Sequence, residues 1–141
     1  MALDKKLIST LFKSIKKTNI DNLASNINHL LDHIKREVVK NHAYNKYEKN
    51  LKKWETLRKD NHFIFPKEIE DAKSYVYYMY VSISQCESFF GVDALLKSYL
   101  KGTFAKQQLK TFNDLYLNYF EIVINEIVNA NIKQKKYLPV D

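Results

Sequence analysis

The sequence predicts an all-α fold: an antiparallel helical bundle of four long helices plus one short one. Three observations predict it. The chain of 141 residues holds only 2 Gly and 2 Pro, too few for the turns that a multi-stranded sheet consumes. Neither residue interrupts positions 1–65. Apolar residues recur by threes and fours along most of the chain, the spacing of one helix face. The length fits a single helical domain over 1–141, long enough to bury a core without disulfides or a structural metal.

The first helix is expected from Asp4 to Lys17, with Leu3, Leu7, Ile8, Leu11, Phe12 and Ile15 on one stripe. Lys13, Lys16 and Lys17 fall toward its C-terminal end, where cations suit the helix dipole. Asp21 is a candidate cap for the next helix. Its stripe runs through Leu23, Ile27, Leu30, Leu31, Ile34 and Val38, weakens across Lys40–Asn45, and resumes at Tyr47, Leu51, Trp54 and Leu57. Residues 22–60 therefore form either one long helix bent near Asn41–Asn45 or two helices with a tight junction there.

A loop begins at Asp60, and Phe63-Ile64-Phe65 reads as an apolar plug tucked into the core. Pro66 is suited to open the third helix, where its missing N–H is harmless. Ile69, Ala72, Val76, Met79, Ile83, Cys86 and Phe90 step by threes and fours. Tyr75, Tyr77, Tyr78 and Tyr80 add surface on other faces, which makes this the central helix. Gly91 is expected at its C′ position. Asp93 then caps a short helix over Ala94–Lys101, closed by Gly102. Thr103 opens a last helix to about Lys135, with Ala105, Leu109, Phe112, Tyr116, Tyr119, Val123 and Ile127 facing the core and Leu115, Phe120, Ile122, Ile124 and Val128 widening the stripe. Residues 134–141 read as a frayed tail.

The net charge is +7, and residues 1–60 carry all of the excess: 14 Lys and Arg against 7 Asp and Glu, with 9 against 9 in residues 61–141. Such asymmetry points to one basic face and an acidic partner. The lone Cys86 cannot form an internal disulfide, and no apolar run is long enough to span a bilayer, so a cytoplasmic protein without a membrane association is expected. Oligomeric state is left open by the composition.

Four patterns bear on chemistry. His29, His33 and Glu37 share a helical face at i, i+4 and i+8, which can present a metal ion with three ligands only if a second helix, through Glu121 or Glu126, completes the set. Cys86 falls on a core stripe, as an inert small hydrophobe does. Arg36 and His42 have the spacing R-x5-H. This resembles the loose motif of the HEPN ribonucleases, which are also all-α. The resemblance implies that Arg36 would stabilise transition-state charge and His42 would move protons on an RNA phosphodiester. It covers these two positions alone, and Glu37 stands where that family usually places Asn, Asp or His. The fourth pattern is the tract 44–59, where Lys46, Lys49, Lys52, Lys53, Arg58 and Lys59 interleave with Tyr44, Tyr47 and Trp54. Lysines neutralise phosphates and aromatic rings stack on unpaired bases. The 4-and-3 spacing of Tyr47, Leu51 and Trp54 favours the other reading, a core face with lysines in water, and Trp54 is expected in the core.

No glycine-rich phosphate loop, Cys/His zinc spacing or nucleophile elbow occurs. The expected function is a non-enzymatic interaction module, a subunit, adaptor or inhibitor without a cofactor or metal, whose basic face binds an acidic partner, a protein or a nucleic acid. A nucleic-acid-binding accessory protein using residues 35–59 is the alternative, and a HEPN-like ribonuclease a distant one.

Overall fold

The computed structural model describes residues 5–37, 41–60, 63–100 and 108–136. They fold into seven helical segments: α1 Lys5–Lys17, α2 Ile20–Glu37, α3 His42–Lys49, α4 Leu51–Arg58, α5 Ile69–Ser84, α6 Phe89–Tyr99 and α7 Gln108–Lys136. The described residues contain no strand, and none of their helices is long and apolar enough to cross a membrane.

The all-α bundle expected from the sequence is what the chain forms, with α5 at its centre. This helix packs against α2, α4, α6 and α7, and α7 in turn touches α1, α3 and α6. Contact on several sides explains why α5 is apolar nearly all round: Val76, Met79 and Ile83 are buried together with Tyr75, Tyr77 and Tyr80. The Tyr80 ring stacks on Phe120 of α7 at 4.3 Å and 6°. Polar pins set the depth of the packing. Asn113 of α7 donates to the Ile15 carbonyl of α1 at 3.3 Å and accepts from the Tyr80 hydroxyl at 3.0 Å. Buried amides of this kind must be paired, so they fix one register of the helices.

Several boundaries differ from the sequence expectation. Asn19, not Asp21, caps α2: its Oδ1 accepts from the Asn22 N–H at 3.2 Å, and Asp21 becomes a first-turn acid. The open choice over residues 22–60 is decided by Asn41. Its extended backbone and its Oδ1, which accepts from the Ala43 and Tyr44 N–H groups, start a new helix there. Residues 38–40 lie outside the described chain. The central helix is shorter at both ends than the span Pro66–Phe90. Glu68 is its extended N-cap, and Gln85 closes it. Gly91 is not a C′ residue but lies inside α6, which begins earlier than Ala94. The Ser88 Oγ accepts from the Gly91 N–H at 3.2 Å and caps this helix in place of Asp93. A serine cap competing with helix continuation is the physical cause.

These shifts uncover residues expected in the core. Ile69 is 61% and Phe90 79% exposed, and the middle of the plug, Ile64, is 75% exposed while Phe63 and Phe65 are half-buried. Leu7, Leu115 and Ile122 are exposed as well. On α7 the buried stripe runs, as expected, through Phe112, Phe120, Val123, Ile124, Ile127 and Val128, with Leu117 added and Leu109, Tyr116 and Tyr119 partly buried against it. The expected caps Gly102 and Thr103, and Ala105, lie outside the described residues. So does most of the tail; residues 134–136 are still helical.

Candidate anion-binding face

Asn41 determines how α3 and α4 present their lysines. Its side-chain oxygen starts α3, and its Nδ2 donates 2.8 Å to the Ile127 carbonyl of α7. With the start pinned, the helical period turns Ala43, Tyr47 and Trp54 inward. Asn50 between the two segments keeps helical dihedrals, φ −89 and ψ −5. The Trp54 N–H still reaches the Asn50 carbonyl at 3.2 Å. The two segments therefore behave as one rod of roughly 25 Å at 1.5 Å per residue.

The inner face is held by polar as well as apolar contacts. The Tyr47 hydroxyl donates to the Glu126 carboxylate, as does the Lys73 ammonium, which also reaches Glu70 at 2.9 Å. Burial alone would lower the Lys73 ammonium, but its hydrogen bonds to Glu126 and Glu70 outweigh that and hold its pKa up. Burial, reinforced by the Glu126 hydrogen bond, pushes the Tyr47 phenol well above its ordinary range. Nearby, Glu48 accepts from Tyr44 at 2.8 Å and Tyr77 at 3.2 Å. The Trp54 ring is 4% exposed, and its indole N–H donates to Ser74 Oγ at 2.8 Å. Of the two readings open for Tyr47 and Trp54, the core reading is the one the structure contains.

Lysines occupy the outer face. Lys49, Lys52, Lys53 and Lys59 are exposed, and among the described residues none of them has an acidic partner within ion-pair distance. The Lys53 ammonium lies 4.6 Å from the centre of the Trp54 ring. Lys46 is exposed but paired with Glu70 at 3.4 Å. Arg58 leaves the row. It is half-buried, donates to Ser98 Oγ of α6 and lies over the Tyr99 and Phe63 rings at 5.0 and 6.0 Å.

Arg58 also lines a cavity of about 320 Å³ at the end of α4. Aromatic side chains form half of its wall: Phe63, Phe65, Tyr75, Tyr99 and Tyr116. Burial pushes the Tyr99 phenol up to about 12. Sequence reasoning missed this cavity. Its signals were the alternation Phe63-Ile64-Phe65 and an arginine at the close of a lysine-rich helix, but the residues that complete it come from α6 and α7.

The other sequence patterns are dispersed. His29 is exposed on α2, and among the described residues no group of three His, Cys, Asp or Glu converges as a metal site. Glu126, one of the two acids considered for such a site, is engaged by Lys73 and Tyr47. Arg36 Nε donates to the Asp32 carbonyl at 3.3 Å within its own helix, and His42 is exposed at the start of α3. Cys86 is half-buried, and burial raises its thiol. No family model, curated protein or solved structure matches the chain.

Proposed function

We propose that this chain is a non-enzymatic helical interaction module that holds an acidic partner on the outer face of α3 and α4. The observation that carries this reading is the row Lys49, Lys52, Lys53 and Lys59. These cations stand exposed on a rod whose opposite face is locked into the core by Tyr47 and Trp54. A rigid helix presents its charges at fixed intervals, so a partner meets them without ordering the backbone first. Glu70, itself exposed, is spent on Lys46 and Lys73, and Glu126 on Lys73. The outer row, four lysines with the exposed Glu55 among them, stays net positive for a partner. A reducing cytoplasm is the compartment this reading assumes, since the single cysteine has no internal partner for a disulfide.

Salt-dependent binding tests the proposal. Labelled duplex DNA, single-stranded RNA and an acidic polypeptide are titrated at rising ionic strength. Retention of at least one of them at low salt is expected, with affinity falling steeply as salt rises. Each neutralised phosphate adds about 0.9 to the log–log slope on a duplex and about 0.7 on a single strand. Absence of binding to all three at low salt would remove the reading.

A further inference from the structure

We infer that the acidic partner is a single-stranded nucleic acid, with the lysine row tracking its phosphates and the Arg58 cavity taking one of its bases. The inference rests on the proposed role of the α3–α4 face and adds the chemical class of what that face binds.

The aromatic side chain within the row itself is not available for stacking. Trp54 is buried and committed to Ser74. The half-buried aromatics gather instead at the C-terminal end of α4. Phe65 stacks on Tyr116 at 5.4 Å and 27°, and Phe63 packs on Tyr75 at 5.0 Å. Phe63, Phe65, Tyr99 and Tyr116 all retain partial exposure around the cavity. Bases and aromatic rings stack through their faces whatever the sequence of the strand.

The size and charge of the cavity select the occupant. Its volume of about 320 Å³ lies at the small end of ligand pockets, which run from roughly 300 to 1,000 Å³, and suits one nucleotide rather than a helix. Among the described residues, Arg58 is the only charged side chain in its wall. A guanidinium carries five N–H donors in a plane and pairs with phosphate while lying over a ring. Lys59 follows Arg58 directly and is exposed, so the positive row and the cavity meet at the end of α4. A base still paired in a duplex is stacked within the helix and cannot enter such a cavity. An unpaired strand can turn a base out at little cost.

Three ligands and two variants test this: a short single strand, a duplex of the same sequence and polyglutamate. The single strand is expected to bind about ten-fold more tightly than the duplex, the factor that one stacked base supplies. Arg58→Gln and Phe65→Leu should each lower single-strand binding about ten-fold, to the level of the duplex. A single 2-aminopurine placed in turn along the strand should be quenched by the wild-type protein at one position, a readout independent of how well the variants fold. Equal binding of strand and duplex with no quenching at any position would overturn the inference and leave the lysine row as a general anion site. Binding of polyglutamate alone would also overturn it, in favour of an acidic protein partner. Failure of all three ligands would remove the underlying reading of the face.

Discussion

The Trp54 indole N–H and the Ser74 hydroxyl meet at 2.8 Å between α4 and α5. This one bond explains how a helix so rich in lysine stays attached to the bundle. The ring also packs edge-on against Tyr75 at 5.4 Å and against Phe63 at 6.3 Å. Burying a tryptophan requires a partner for its N–H, and a serine in the central helix supplies it.

Trp54→Ala should therefore act on stability. Removing a large buried aromatic costs about 3–5 kcal/mol. Chemical denaturation of the variant is expected to show that loss, and Ser74→Ala a smaller one of roughly 1–3 kcal/mol for the unpaired indole N–H. Unchanged stability in Trp54→Ala would mean that α4 is not anchored through this ring.

Reversing the charge of Lys49, Lys52 and Lys53 to Glu should have the opposite profile. Lys and Glu have similar helix propensities, and all three side chains are exposed. Helical content by circular dichroism and the melting temperature should barely move, while binding of the anionic partner is lost. A triple variant that binds as the wild type does would clear α3–α4 of any role in recognition.

Asn41 offers a test of how the lysine rod is oriented. Asn41→Ala removes both the cap of α3 and the bond to the Ile127 carbonyl. A lost cap costs about 0.5–2 kcal/mol and an orphaned buried carbonyl about 1–3. Hydrogen exchange should quicken first across residues 43–49, ahead of α5.

Alkaline pH should weaken the fold. The phenols of Tyr75, Tyr77 and Tyr80 are raised above the ordinary value of 10.0, with burial as the first cause. Burial would lower Lys73, but the hydrogen bonds it donates to Glu126 and Glu70 outweigh that and raise it above 10.5. In both cases the folded state holds its proton more tightly than the unfolded one. The stabilisation is complete below these ordinary values and is lost as pH climbs toward the folded ones. The melting temperature should stay level to about pH 10 and then fall, with tyrosinate absorbance appearing in step with unfolding.

Nuclease activity is the outcome that would displace the interaction reading. No RNA cleavage with divalent metal is expected. Cleavage abolished in both Arg36→Ala and His42→Ala would replace it with the HEPN-like one.

The sequence by itself determined the helical class, the central place of the tyrosine-rich helix and the concentration of charge in the first sixty residues. Those features are set by composition and by a repeat of three and four, both of which survive any arrangement of the helices. Helix ends were less legible. At Ser88 and Asn41 a side chain of one residue competes with the backbone for an N–H group, and the winner depends on what the neighbouring helices leave uncovered. The 4-and-3 spacing favoured the core for Trp54, and its burial bears that out, while the Ser74 partner of its N–H came only from the packing of α4 on α5. The aromatic cavity left only partial signals, the Phe63-Ile64-Phe65 alternation and Arg58 at the close of α4. Arg58, Phe65, Tyr99 and Tyr116 come from four separate stretches of chain, and only the tertiary structure decided that they share one wall, because periodicity within a helix carries no information about which helix lies across from it.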